Sequence, residues 1–193
     1  MNAYDFDKTI VPFDSTAFFA RWCLARYRRA RLRLPLLILP GLAMLLRLGS
    51  KERFKEALFR AVFTAPADLR AEIDAFWQEN LPRTNAWYLE RRRPDDVVIS
   101  ASPDFLVRPA LERLGVRAVI ATRLDPSTGR IEGRNCHGAE KVARFRQEWG
   151  GAAIEEFYSD SLSDAPMARL AKRAYLVLGE TPVPWPAESS ARP

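Results

Sequence analysis

Two cysteines and a single histidine are all the thiol and imidazole that the 193 residues hold. Cys23 and Cys136 lie far apart and neither belongs to a CxxC pair, so the sequence supports neither a disulfide framework nor a zinc site. His137 stands alone in Asn135-Cys136-His137-Gly138. There is no internal repeat. The opening residues lack a basic region followed by an apolar one, so no secretory leader is expected and the cytoplasm is the expected location. Long apolar runs are missing too. The stretch 34–46 has thirteen uncharged residues, short of the ~18–20 needed to span a bilayer, and Pro40-Gly41 interrupts it.

What is present describes a globular chain: 48% apolar and 28% charged residues can bury a core. The net charge of +6 is not spread evenly. Residues 21–60 hold eleven basic side chains against Glu52 and Glu56, a net +9, which leaves the remainder acidic. Arginine outnumbers lysine 25 to 5 throughout, so its identity says little; its clustering creates a local field that attracts anions.

Short apolar runs at 2–6, 97–100 (VVIS), 116–121 (VRAVIA), 154–158 (IEEFY) and 174–178 (AYLVL) are strand-length and rich in β-branched or aromatic residues. Amphipathic segments at 104–114, 139–149 and 165–172 separate the later ones. Alternation of this kind predicts an α/β fold, a Rossmann-like parallel five-stranded sheet in the order fifth-fourth-first-second-third. The turn 125–129 (DPSTG) reads as a small hairpin or flap. Residues 14–94 have helical periodicity and no clear strand, far more than a βα connection needs, and predict an inserted α-helical cap. The core is then 1–13 with 95–179. The proline-rich remainder, 180–193, is expected to be disordered.

Ligands of an open parallel sheet gather at the carboxyl ends of its strands. There the first strand delivers Asp5 and Asp7, the second Ser100, and the fourth Asp160, with Asp164 four residues on; Lys141 begins the helix before that strand. Carboxylates converge stably when a cation or a shared proton compensates them. Phosphoryl transfer to a carboxylate needs this set: a hard divalent cation on oxygen ligands, a hydroxyl and a lysine for the phosphoryl oxygens, one nucleophilic aspartate and a second carboxyl as acid and base.

The DxDxT of Asp5–Thr9, the apolar run ending in Ser100, Lys141, and the DxxxD of Asp160–Asp164 resemble the four motifs of the haloacid dehalogenase (HAD) superfamily. Their order, with a helical insertion after the first motif, is similar to the phosphoserine-phosphatase-like branch (subfamily IB). The resemblance covers residues 1–179. It implies a Mg²⁺-dependent phosphomonoester phosphatase with Asp5 as nucleophile and Asp7 as general acid/base. It further implies Asp5, the Asp7 carbonyl, Asp160 and Asp164 around Mg²⁺, with Ser100, Lys141 and Thr9 holding phosphate. The fourth motif departs from the family habit by carrying Ser161 and Ser163.

The substrate implied is a small phosphomonoester such as phosphoserine, for which Asp14, Arg53 and Arg60 are the candidate cap residues. The alternative is a lipid phosphate of the phosphatidylglycerophosphate type, taken at the membrane surface. It turns on residues 32–48 (LRLPLLILPGLAMLLRL), read first as a buried helical pair within the cap and second as an interfacial segment on anionic lipid, flanked by the basic residues of 21–60. No nucleic acid is expected as a partner. Two rival classes remain: a phospho-receiver module, against which Asp7 and the long insertion speak, and a basic binding protein with a dead site, against which the intact acidic motifs speak. Ser102, before Pro103-Asp104, reads as a helix cap.

Overall fold

The computed structural model describes residues 1–186. The apolar runs become six strands of one sheet: β1 (Ala3–Tyr4), β2 (Val97–Pro103), β3 (Ala118–Thr122), β4 (Ile154–Ser159), β5 (Ala171–Leu178) and β6 (Thr181–Pro184). Their order is β3-β2-β1-β4-β5-β6, the expected arrangement with one strand added. The first five are parallel, and β6 runs antiparallel along β5. β1 is only two residues long, yet both are fully buried and paired on either side, Tyr4 with Val98 and with Tyr158. In-register pairing lines up Tyr4, Tyr158 and Tyr175, whose rings stack at centroid distances of 5.0 and 4.9 Å.

Two sequence expectations fail along β5. The amphipathic stretch 165–172 is helical only over the single turn Ala165–Ala168. Lys172 and Arg173 belong instead to a strand, ion-paired to Glu155 and Glu156 of β4. The expected disordered tail from 180 begins as β6: Pro182 and Pro184 are tolerable because this is an edge strand, where a missing N–H costs no ladder bond. Trp185 then donates its amide to Ala174 O. The rest of that tail, 187–193, lies outside the described residues.

The insertion contains α1 (Ser15–Arg26), α2 (Arg28–Arg33), a 3₁₀ turn (Leu34–Leu37), α3 (Ile38–Leu45), α4 (Lys51–Val62), α5 (Leu69–Asn80) and α6 (Ala86–Arg91). After β2 come α7 (Asp104–Arg113), α8 (Ala139–Trp149) and the short α9 (Ala165–Ala168). Phe145 and Met167, from α8 and α9, cover one sheet face with Val97, Ile99 and Phe157. The other face carries a continuous cluster shared by α7 and the insertion. Trp77 of α5 seals it, with its ring edge-on to Phe6 and its Nε1 donating to Leu106 O at 2.7 Å. Asp14 and Asp68 cap α1 and α5 by accepting from the amides of Ala17 and Ala71.

Residues 32–48 correct the favoured reading. They are not a buried pair: no residue of the 3₁₀ turn or α3 is buried, and nine of the twelve exposed large apolar side chains lie between Leu32 and Leu48. The physical reason is a shortage of neighbours. A Cβ on Gly41 would stand 3.5 Å from the Phe54 ring of α4, and Leu37 reaches the core cluster, but none of the described residues covers the remaining face.

The turn 125–129 does form a small flap, closed by the Leu124–Ile131 bridge, and it grips α4. Arg60 Nε donates to Thr128 O at 3.2 Å, and Ile131 N donates to Glu56 Oε1 at 2.9 Å. Gly129 makes the approach feasible. Its φ is +71°, and a Cβ there would stand 2.6 Å from Arg60 N.

Candidate active site

β1 ends where its last bond to the sheet is made, Asp5 N to Tyr158 O at 2.8 Å. The chain then turns sharply, with the amides of Thr9, Ile10 and Val11 all returning to Phe6 O. Lys8 takes φ +53°, a left-handed conformation that costs a non-glycine residue about 1 kcal/mol and clusters at functional sites. Asn85, on the return from the insertion, secures the loop by donating Nδ2 to Thr9 O and its amide to Ile10 O.

At this end of the sheet Lys141 is 2% exposed and donates to both Asp5 Oδ1 and Asp164 Oδ2, each at 2.7 Å. α8 can deliver it because Gly138, at φ +58°, starts the helix from a backbone shape few other residues adopt. Loss of water opposes the lysine's charge, but the two carboxylates outweigh it and raise its pKa. Burial pushes the Asp5 carboxyl well above the ordinary carboxylate range, against the pull of Lys141. Ser159 Oγ also donates to Asp164 Oδ2.

Asp7 is held by a second set of donors. Its Oδ1 accepts from the Ser15 amide at 2.7 Å and its Oδ2 from Ser102 Oγ in a short contact. Burial raises its pKa, and these hydrogen bonds oppose the rise. Ser102 is therefore not the helix cap read from the sequence: Pro103 occupies the cap position and the hydroxyl faces Asp7. Ser100, fully buried, accepts from Ser102 N at 3.0 Å and retains its own proton to donate.

Other candidates fall elsewhere. Thr9, expected on phosphate, is fully buried, and its Oγ1 accepts from Asp160 N at 3.0 Å, tying the first-motif loop to the fourth. Asp160 lies at the end of β4, its carboxyl raised by burial despite the charges of Lys8 and Lys141. Arg53 and Arg60 are both exposed, and Arg60 holds the flap rather than facing the carboxylates. Asp14 is exposed and caps α1.

A cation of the insertion that does bear on this cleft is Lys55, which the sequence left unnoticed. Its Nζ donates to Asn135 Oδ1 at 3.3 Å. Burial lowers its pKa even though the charges of Asp14 and Asp7 act the other way. An anion arriving beside it would stabilise its charged form. The serines of the fourth motif also have work: Ser161 Oγ and Ser163 Oγ lie 2.8 Å apart, and Ser163 Oγ meets His137 Nε2 at 3.1 Å. They brace a loop that glycine would leave looser.

A hard cation suits this donor set. Asp164 Oδ1 is buried with no hydrogen-bond partner, and Asp5 and Asp160 are raised carboxyls in want of positive charge. No group of three or more His, Cys, Asp or Glu side chains forms a ready-made cage among the described residues. Mg²⁺ does not need one, since it commonly binds through one or two carboxylates, water and substrate phosphate.

Comparison with known proteins agrees with this geometry. The family model for haloacid dehalogenase-like hydrolases matches residues 3–169. The chain is 31% identical, over 186 aligned residues, to protein CicA of Caulobacter vibrioides, covering 88% of this chain and 82% of that one. A protein of unknown function from Bordetella pertussis Tohama I matches with a TM-score of 0.72 at 25% identity, covering 91% of this chain and 88% of its own. A phosphoserine phosphohydrolase-like protein from Francisella tularensis subsp. tularensis SCHU S4 shares the fold at a TM-score of 0.58 and 16% identity, covering 91% and 87%. With strand order, motif order and family match in agreement, the chain belongs to the haloacid dehalogenase-like hydrolases.

Proposed function

We propose that the protein is a Mg²⁺-dependent phosphatase of small phosphomonoesters that works through an aspartyl-phosphate on Asp5. The observation that carries this reading is the Lys141 ammonium clamped between Asp5 and Asp164 in a buried site at the carboxyl end of the central strand. Lys141 occupies one oxygen of Asp5 and leaves the other to attack phosphorus. Ser100 and Lys141 bind the phosphoryl oxygens, where charge is greatest in the transition state. Asp7, held by Ser15 and Ser102 and raised by burial, hands a proton to the departing alkoxide. It then takes a proton from the water that opens the acyl phosphate, releasing inorganic phosphate and restoring Asp5. Asp5, Asp160 and the Asp7 carbonyl, with Asp164 behind them, would hold Mg²⁺, which would supply positive charge to the phosphate and the acids together.

Lys55 replaces Arg53 and Arg60 as the insertion residue that reads the substrate. A cation of lowered pKa above the cleft favours a phosphomonoester bearing a second anionic group, which phosphoserine has. The likeness in fold to the phosphoserine phosphohydrolase-like protein of Francisella is in keeping with that reading. A lipid phosphate is the second reading, favoured by one observation: neighbouring residues of α4 serve both regions, Phe54 under the exposed α3 and Lys55 against Asn135.

The test is a screen of the purified protein with Mg²⁺ against phosphoserine, sugar phosphates, nucleotides and a short-chain phosphatidylglycerophosphate. Asp5→Asn should lower turnover of the best substrate on the order of 10⁴-fold or more while the fold persists by circular dichroism. Activity within tenfold of wild type in that variant would remove Asp5 as nucleophile. Release of no phosphate from any member of the panel would overturn the phosphatase reading itself.

A further inference from the structure

The exposed side chains of 32–48 are ordered, not scattered. Ile38, Leu39, Leu42, Leu45 and Leu46 recur at spacings of three and four, so they form one stripe along α3 and its end, and Leu34 and Leu36 extend it across the 3₁₀ turn. Leu39 and Leu45 are 78% and 77% exposed. A contiguous apolar patch of this kind is unusual on a soluble monomer and marks an interaction site. The stripe is too short to cross a bilayer: eight helical residues rise about 12 Å against a hydrocarbon core of about 30 Å. Indeed, no helix among the described residues is long and apolar enough to do so.

Charge identifies the occupant. Around the stripe, Arg28, Arg29, Arg47 and Arg53 make no side-chain hydrogen bond or ion pair among the described residues. Glu52 is the sole acid between residues 26 and 55. A second copy of the chain meeting this face would bring like charges together, since a two-fold interface sets the same patch on both sides. Nucleic acid would meet leucines where it needs aromatic rings to stack upon. An anionic bilayer satisfies both features, taking the leucines below its headgroups and the arginines among its phosphates.

Arg47 adds an independent sign. It stands at φ +58° just past the end of α3, where Leu48 N and Gly49 N fold back onto Ala43 O. This is the helix-ending position that glycine normally fills. An arginine there is locally strained, and it adds a cation beside the leucines.

We propose that the 3₁₀ turn and α3 form a membrane-docking surface, lying in the interface of an anionic bilayer with Arg28, Arg29 and Arg47 on its headgroups. The proposal is independent of the phosphatase reading, because docking is measured without turnover.

The test is flotation of the full-length protein with phosphatidylcholine vesicles and with vesicles of phosphatidylcholine and phosphatidylglycerol, at low and physiological salt. The protein should float with the anionic vesicles and not with the neutral ones. Arg47→Gly should weaken binding about fivefold, the contribution of one basic residue near such a surface, while the protein melts no lower than wild type. Leu39→Ser with Leu45→Ser should abolish flotation at physiological salt and leave the circular dichroism spectrum unchanged. The proposal is overturned if the protein stays at the bottom with anionic vesicles at low salt, or if the leucine variant floats like wild type. It is equally overturned if wild type sediments as a dimer that the leucine variant dissolves and neither form binds lipid.

Discussion

At the end of β1, Lys141, Asp5 and Asp164 are shut away from water, whereas along α3 a row of leucines stands in it. Each region inverts the usual sorting of residues, in which charges stay outside and large apolar groups in. The difference lies in their partners. In the cleft Lys141 lies between Asp5 and Asp164, and Asp7 has donors in Ser15 and Ser102, so that only Asp164 Oδ1 is left buried without a partner. Among the described residues the tip has neither a covering element for its leucines nor counter-charges for Arg28, Arg29 and Arg47. Among the described residues the cleft thus lacks only positive charge for a carboxylate oxygen, whereas the tip lacks both apolar cover and negative charge.

Substitutions can break or sharpen that contrast. The largest effect expected is on stability at the cleft. Lys141→Met leaves two buried carboxylates facing each other, and with a metal chelator present should destabilise the fold by about 3–5 kcal/mol in urea unfolding. A loss below about 1 kcal/mol would mean that the carboxylates relax to solvent and that Lys141 does not hold the cleft together. Next comes Ser102→Ala, which removes the side-chain donor to Asp7 and leaves it the Ser15 amide. It should lower kcat about tenfold with KM unchanged, the effect of losing a hydrogen bond to a charged group. A change confined to KM would move Ser102 from Asp7 to the substrate. The smallest effect belongs to the tip: Leu39→Ser should alter stability in solution by less than about 0.5 kcal/mol, as at other exposed positions. A drop of about 2 kcal/mol or more would show that the leucines are covered in solution.

The sheet order and the convergence of Asp5, Lys141 and Asp164 were legible in the sequence, because strand-length runs each ended in a chemically distinctive residue. Ser102 was not, since a serine before Pro-Asp reads equally well as a helix cap, and its contact with Asp7 joins positions 95 residues apart. Its spacing of two from Ser100 was the available signal. Lys55 was hidden for another reason: one lysine on an amphipathic helix reads as solvated until the opposite wall is known. The leucine segment misled because apolar composition reports a preference for burial, not the presence of anything to be buried against. Similarly, Lys172 and Arg173 read as helix surface until β4 placed Glu155 and Glu156 beside them.

β1 consists of two residues, and its neighbours come from far along the chain. Asp5 meets Lys141 across a separation of 136 residues, and Thr9 meets Asp160 across 151. Contacts so distant in sequence form only when the intervening chain has already been drawn together, a demand that slows folding. The ion-paired cluster thus has no local precursor: Asp5, Lys141 and Asp164 come from three separate segments, and the first forty residues supply only the first of them. A nascent or partly unfolded chain carries all of the leucine-rich tip and none of the assembled chemistry, so the appearance of activity reports closure of the sheet's centre.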